Sequence, residues 1–176
     1  MGNIYYIDGY NIIHHSSHLR PIAVNNFEGA RDALIEQVSM FCSTAHHHAK
    51  IVFDGRGRRS DSSIPFRAAA GLEVVYSPGH QNADSYIERA VYNAPKRADL
   101  VVVSGDRGLR NTCYNLGALV MDPENFLTTV RDTIREARDV RHSSQPSKLD
   151  SRVEDRLDAS SLSRLNDLKG KLPKAP

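Results

Sequence analysis

Four aspartates occupy comparable places in this sequence. Two directly follow short apolar runs, one follows such a run after a Ser-Gly pair, and one falls in the first turn of a predicted helix; they are Asp8, Asp54, Asp106 and Asp84, respectively. Short continuous apolar runs are typical of the buried strands of a parallel sheet. Because open sheets of this kind bind ligands outside the carboxyl ends of their strands, the pattern predicts that the four carboxylates meet at one sheet edge.

Carboxylates gathered at one place repel one another unless a cation lies among them or some become protonated. This set offers oxygen ligands without cysteine and without an ordered histidine spacing, which favours Mg²⁺ or Mn²⁺. Such ions bind phosphate oxygens and activate water for attack at phosphorus. Glu88 lies four residues after Asp84 on the same helical face and is a further candidate ligand. The alternative is that each aspartate only caps a helix or ends a turn.

Strands and helices alternate along the chain, which indicates a parallel sheet with helices on both faces. Right-handed crossovers and a central first strand predict the strand order 3-2-1-4-5. The switch point then lies between the first and fourth strands, beside Asp8 and Ser104. The five predicted strands are Ile4–Ile7, Ile51–Phe53, Leu72–Tyr76, Leu100–Val103 and Ala118–Met121.

Helical patterns fill most of the segments between these strands, and His14–Asn26, with Pro21, is predicted to be a loop. The composition changes after residue 142, so we expect one domain over residues 1–142 and a linker and tail over residues 143–176. For the tail, a short amphipathic helix around residues 151–168 and a weakly ordered segment are both open. The predicted helices are Phe27–Ala45, Asn82–Asn93, Arg107–Leu116 and one from Pro123 towards Val140.

The formal net charge of the 176-residue chain is only +2, so nucleic-acid binding requires a local basic patch. Two groups of arginines stand beside the aspartates, one after Asp54 and one at the start of the helix after Asp106. Guanidinium groups and helix N-termini both bind phosphate. The alternatives are a solvated charged loop for the first group and pairing with a nearby carboxylate for Arg107. The first group is Arg56, Arg58 and Arg59, and the second is Arg107 and Arg110.

The chain has two cysteines, Cys42 and Cys113, both within helical patterns. Buried free thiols are expected, as in a reducing compartment. No apolar run reaches membrane-spanning length, and the start lacks the pattern of a signal peptide. These features predict a soluble, cytoplasmic protein without a membrane partner.

The Asp-Gly-Tyr-Asn segment at residues 8–11 resembles the signature of the NYN domain, a branch of the PIN-like nucleases. Asp54, the Asn-Ala-Asp segment at residues 82–84 and the Ser-Gly-Asp segment at residues 104–106 follow in the expected order. The helix start at residues 27–31 and the extra C-terminal segment are most similar to the YacP-like subgroup. The resemblance covers about residues 3–140 and implies a PIN-like, Rossmann-like three-layer sandwich around a parallel five-stranded sheet.

The resemblance implies a Mg²⁺- or Mn²⁺-dependent endoribonuclease that cleaves single-stranded RNA. Some YacP-like members act on messenger RNA associated with ribosomes. It also implies metal ligands at Asp8, Asp84 and Asp106, an orienting role for Asn11 and support of Asp106 by Ser104. One departure concerns the number of metal ions.

In some relatives a second acid directly follows the helix-start aspartate, where this chain has Ser85. Glu88, one turn further on, is then the residue that could supply the missing charge, and Asp54 is an additional candidate ligand.

Two other functions compete with the nuclease. A non-catalytic RNA-binding NYN module would keep the basic residues but lose acidic ones, whereas this chain retains all five acidic residues named above. A phosphatase with Asp8 as a covalent nucleophile resembles the haloacid-dehalogenase-like enzymes. Such enzymes need a second aspartate two places later, and Tyr10 occupies that place.

Overall fold

The computed structural model of the chain describes residues 3–55, 66–69 and 71–144. Within these ranges, six strands form one sheet in the order β3-β4-β2-β1-β5-β6. Every neighbouring pair is parallel except β3 and β4. The strands are β1 (Ile4–Asp8), β2 (His48–Phe53), β3 (Phe66–Ala69), β4 (Leu72–Tyr76), β5 (Leu100–Val103) and β6 (Leu119–Met121).

The five parallel strands confirm the predicted order 3-2-1-4-5, with β1 in the centre. The antiparallel edge strand β3 is an addition that the sequence does not predict. Its four residues include two alanines and an arginine, which carry little strand preference of their own. Pairing with β4, where Phe66 lies opposite Val74, therefore defines this strand.

Five of the helices within the described ranges lie between consecutive parallel strands, and the sixth follows the last strand. Asn26 and Asp122 cap two of them by accepting hydrogen bonds from the amides of Gly29 (2.9 Å) and Asn125 (3.0 Å). The helices are α1 (Gly9–His15), α2 (Leu19–Asn25), α3 (Phe27–Ala45), α4 (Ala83–Asn93), α5 (Arg107–Asn115) and α6 (Pro123–Ser144), with a 3₁₀ turn at Arg97–Asp99.

The predicted loop at His14–Asn26 is wrong, because this segment contains the end of α1 and all of α2. Ile12 and Ile13 are fully buried, so α1 is held by the core although it has only seven residues. The hydroxyl of Ser16 accepts a hydrogen bond from the first amide of α2 (3.1 Å). Pro21 lies in the first turn of α2, where a missing amide hydrogen costs nothing.

The sheet has a hydrophobic core on each face, as a three-layer sandwich requires. On one face Ile7 of β1 packs with Leu34 of α3 and Phe126 of α6, and all three are fully buried. On the other face Val102 of β5 packs with Ile87 of α4. Because alternate residues of a strand point to opposite faces, the continuous apolar run of the central strand contributes side chains to both cores.

Tertiary contacts group Met1–Ala137 as one compact unit, which contains the sheet, and Arg138–Pro176 as another. The predicted domain boundary after residue 142 stays a prediction. The predicted linker and tail lie outside the described residues from residue 145 onward.

Two expectations from composition concern thiols and membranes. Cys42 and Cys113 are free and buried, as predicted. In the described part of the chain, no helix is long and apolar enough to cross a membrane.

Gly9, the first residue of α1, is predicted to tolerate no side chain. A Cβ at this position would lie 2.3 Å from Cε1 of Phe53, whose ring is fully buried. Gly9→Ala should therefore lower the free energy of unfolding by about 1–3 kcal/mol, as overpacking of a core does. Urea denaturation measures this decrease.

Gly79→Ala is the matched control, since a Cβ there would meet nothing within 4 Å. We expect its free energy of unfolding to be unchanged or slightly raised. Equal denaturation midpoints for the two variants would contradict the close packing of Gly9.

Candidate active site

Asp8 is the last residue of β1 and also the N-cap of α1. Its Oδ1 accepts a hydrogen bond from the amide of Asn11 (3.2 Å), and its Oδ2 accepts one from the hydroxyl of Ser104 (3.2 Å). The aspartate is only 7% exposed, and Ser104 is fully buried. Since Ile7 and Ile12 on either side are fully buried, the core fixes the turn that carries this carboxylate.

The turn after β5 is joined to α1 by a further set of hydrogen bonds. The oxygen of the Ser104 hydroxyl accepts one from the amide of Asp106 (3.1 Å), and Oδ1 of Asn11 accepts one from the amide of Gly105 (2.5 Å). Asp106 caps α5. The network thereby holds the ends of β1 and β5, and the two aspartates that follow them, in fixed register.

An open cleft of about 310 Å³ lies beside this network. Asn82 caps α4 by accepting a hydrogen bond from the amide of Ser85 (2.9 Å), which places Asp84 in the first turn of that helix. Among the described residues, three carboxylates and no lysine or arginine line the cleft. Its lining consists of Asp8, Tyr10, Asn11, His14, Asp54, Asn82, Ala83 and Asp84.

Burial and neighbouring carboxylates raise the pKa values of two aspartates at this edge, Asp8 and Asp84. Burial is the largest cause and raises the pKa of Asp8 to about 6, and the charges of Asp84 and Asp106 add to this rise. The hydrogen bonds from Asn11 and Ser104 act in the opposite direction. Burial, followed by the charge of Asp106, also raises the pKa of Asp84. The site therefore holds more negative charge than its own hydrogen bonds compensate.

The remaining predicted site residues lie around the cleft rather than in it. Asp106 is exposed at the start of α5, and Glu88 is half-buried one turn after Asp84. Their charges nevertheless reach the cleft, because both raise the pKa of Asp84. Arg107 and Arg110 occupy the first turn of α5, next to Asp106. The predicted RNA-binding residues Arg56, Arg58 and Arg59 lie outside the described residues.

Four cleft residues were not assigned to the site from the sequence: Tyr10, His14, Asn82 and Ala83. The first two lie on α1, which the sequence did not predict because its seven residues are too few for a clear helical period. Asn82 carries a recognisable signal, since asparagine two residues before an aspartate at the start of a helical pattern is a typical N-cap.

The donor chemistry of the site fits a hard divalent cation. In the described part of the chain, no three His, Cys, Asp or Glu side chains are arranged to hold one metal ion directly. Mg²⁺ does not need such a cage, because it keeps several water ligands and is commonly bound through one or two carboxylates. A buried carboxylate with a raised pKa beside two further aspartates supplies oxygen ligands and uncompensated negative charge, which is what such an ion requires.

Known proteins resemble the chain in sequence and in fold. The model of the YacP-like NYN domain matches residues 5–170. YacP of Bacillus subtilis (strain 168), described as an uncharacterized protein, is 29% identical over 87 residues. This alignment covers 49% of the chain and 50% of YacP, so the chain matches only about half the length of this curated relative.

Two crystal structures of Rae1 (YacP) from Bacillus subtilis share the fold. One has a TM-score of 0.64 at 25% identity and covers 97% of this chain and 99% of Rae1. The other, a single-residue mutant, has a TM-score of 0.65 at 24% identity, with coverage of 94% and 99%.

Asp8 should make the stability of the metal-free protein depend on pH. The folded chain keeps a proton on Asp8 up to about pH 6, whereas the unfolded chain releases it near 3.8. Because the folded state binds more protons in this window, its free energy of unfolding should fall as pH rises from 4 to 7. Over this pH range the decrease amounts to about 2–2.5 kcal/mol.

Asp8→Asn should lack the part of this decrease that Asp8 causes. Its Oδ1 can still accept from the amide of Asn11, whereas its NH₂ group donates to the Ser104 hydroxyl instead of accepting from it. Urea denaturation in EDTA at several pH values compares it with the wild type, with the exposed Asp99→Asn as control. A stability difference between wild type and Asp8→Asn that stays constant from pH 4 to 7 would refute the raised pKa.

Proposed function

The chain belongs to the YacP-like NYN domain family, and from this membership we propose that it is a metal-dependent endoribonuclease that cleaves single-stranded RNA. Within that class, the proposed substrate is messenger RNA, in association with ribosomes and in the cytoplasm. The family relates the chain to RNA-directed nucleases. The activity, the metal and the RNA target are our proposals.

One observation carries the proposal: the hydrogen-bond network that joins Asp8, Ser104, Asp106 and Asn11 at the edge of the acidic cleft. A turn or a helix cap needs only one of these side chains. Here a serine hydroxyl with no exposed surface connects one aspartate to the backbone of the other. Such an arrangement costs stability through repulsion between carboxylates, which is typical of a functional site.

Asp8, Asp84 and Asp106 are the residues that would hold Mg²⁺ or Mn²⁺, no more than two of them directly and the rest through its water ligands, with Asp54 and Glu88 as further candidates. When bound, such an ion neutralises charge on the scissile phosphate and lowers the pKa of a bound water. Each oxygen of Asp8 accepts one hydrogen bond within the protein, so each retains a lone pair for a ligand. Asp106 uses Oδ1 to cap α5 (2.9 Å to the amide of Leu109), which leaves Oδ2 for this role.

Asn11 and Ser104 position the acidic residues. The carbonyl oxygen of the Asn11 side chain is occupied by the amide of Gly105, so the group that Asn11 offers to an anionic substrate is its NH₂ donor. Ser104 donates to Asp8 and accepts from the backbone of Asp106, which keeps both residues oriented before RNA arrives. This preorganisation is the contribution of the protein to the reaction.

Asp8→Asn and Asp106→Asn should each reduce cleavage of single-stranded RNA at least about 100-fold, because removing even a group that supports a metal ligand typically costs about 10–100-fold. Both variants should stay folded, since asparagine can accept the same cap hydrogen bond. Cleavage of a labelled RNA in Mg²⁺ or Mn²⁺, and then in EDTA, is the measurement.

Asp99→Asn is the matched control, because this exposed aspartate precedes β5 at the opposite end of the sheet. Wild-type cleavage rates in either active-site variant would contradict the assignment. If wild-type protein binds RNA but never cleaves it with either metal, the chain is the non-catalytic RNA-binding module instead.

The segment with Arg56, Arg58 and Arg59 is proposed to bind the RNA backbone. It follows Gly55, whose amide donates to the hydroxyl of Ser77 (3.1 Å) directly after the cleft residue Asp54. Arg107 and Arg110, at the N-terminus of α5, are proposed as further phosphate-binding residues.

Replacing Arg56, Arg58 and Arg59 with alanine should weaken binding similarly for all RNA sequences. The slope of log affinity against log salt should become shallower by about 0.7 for each phosphate that the variant no longer neutralises. Binding isotherms at several salt concentrations test this, with exposed Lys96→Ala as control. An unchanged slope and affinity would leave Arg107 and Arg110 as the phosphate-binding residues.

A further inference from the structure

A second cavity, larger than the acidic cleft, lies at the C-terminal end of α1. It measures about 460 Å³, within the range of pockets that bind small ligands. We call it the α1–α6 groove, because its walls come from the end of α1 and the segment after it, from Gln37 of α3 and from α6. Its residues are His15, Ser16, Ser17, His18, Gln37, Glu124, Leu127, Thr128, Val130, Arg131 and Ile134.

The groove combines an apolar wall with groups that bind phosphates and bases. Leu127 and Ile134 are half-buried and pack against the core, so this wall is firmly held. Arg131 donates a hydrogen bond to the hydroxyl of Thr128 (3.1 Å), which orients its guanidinium group. Unpaired RNA bases stack on imidazole rings and on guanidinium planes. The side-chain amide of Gln37 can both donate to and accept from the edge of a base.

His15 connects the groove to the active site. Its Nδ1 lies 2.9 Å from the backbone oxygen of Asn11, one helical turn earlier, and Asn11 lines the acidic cleft. On its other side the ring lies against Gly105, where an added Cβ would come within 2.7 Å of Cε1 of His15. The imidazole is therefore a wall shared by the groove and by the turn that precedes Asp106.

The charges of the two cavities differ. The acidic cleft has three carboxylates and, in the described chain, no cationic lysine or arginine, so it repels the phosphates of RNA outside the scissile position. The groove has one carboxylate, Glu124, and one guanidinium group, that of Arg131, so its formal charge is balanced. A strand that leaves the cleft along α1 therefore reaches a surface that no longer repels it.

We propose that the α1–α6 groove binds one nucleotide of the single-stranded RNA beside the scissile phosphodiester. The part of this proposal that places the nucleotide next to the cut rests on the proposed nuclease function. The base packs on Leu127 and Ile134, the phosphate contacts Arg131, and Gln37 reads the edge of the base. The groove is thus a binding subsite that supplies affinity and base preference, while the aspartates supply the chemistry.

Two variants test the groove in different ways. Arg131→Ala removes the cation, and Ser17→Trp fills the cavity from an exposed position without changing any charge. Fluorescence anisotropy with a short labelled RNA in EDTA measures binding without cleavage. Each variant should weaken binding about five- to tenfold, as the removal of one stacking or charge-assisted interaction does.

Arg135→Ala is the matched control, because Arg135 lies one turn further along α6, outside the groove, where it pairs with Asp132 (3.3 Å). Its affinity for RNA should equal that of the wild type. Thermal unfolding confirms that all three variants fold. RNA containing 4-thiouridine should crosslink to residues 124–134 in the wild type and not in Ser17→Trp.

Wild-type affinity and crosslinking in both groove variants would overturn the subsite and leave the nuclease proposal intact. If the groove variants bind RNA more weakly but wild-type protein cleaves no RNA with either metal, the subsite stands and the nuclease proposal fails. Where cleavage occurs, Gln37→Ala should change the base preference beside the cut.

Discussion

The burial of the Asp8 carboxylate is the constraint on which the rest of this site depends. A charge that is 7% exposed is tolerated at the end of the central strand only because Asn11 and Ser104 donate to it. Ser104 can do so because β5 pairs directly with β1, with Ile7 opposite Val103. The strand order is therefore necessary for the site, because a different strand beside β1 would leave the Asp8 carboxylate without its second hydrogen-bond donor.

Repulsion among carboxylates connects the folding of the chain to its proposed activity. Burial, together with repulsion from neighbouring carboxylates, raises the pKa values of Asp8 and Asp84, so ionising both destabilises the site. Hydrogen bonds and helix caps offset part of this cost, and a divalent cation would offset more of it. The hydrogen bonds of Ser104 thus hold Asp8 and the turn with Asp106 in place, and the negative charge that they leave uncompensated favours a cationic ligand.

The sequence predicted the parallel strands, which are continuous apolar runs, and missed the two helices of only seven residues. The five parallel strands and their order followed from alternation and from buried runs such as Leu100–Val103. The helices α1 and α2 were missed, because seven residues are too few to show a clear helical period. Tertiary burial of Ile12 and Ile13 stabilises α1, and α2 contains Pro21. The candidate aspartates were found from their places after strands, but Tyr10 and His14 could be placed in the cleft only once α1 was known.

The attachment of the segment between Gly55 and Phe66 has a consequence for how relatives can diverge. A Cβ at Gly55 would lie 2.0 Å from the backbone oxygen of Ser77, and Phe66 pairs with Val74, so both ends of the segment are fastened to β4 and the residue after it. Doubling the number of residues between two fixed points of a chain costs only about 0.6 kcal/mol in closure entropy. Insertions, deletions or exchanged basic residues there should leave the sheet and the carboxylates undisturbed. Relatives can therefore exchange this stretch of sequence while they keep the same arrangement of aspartates.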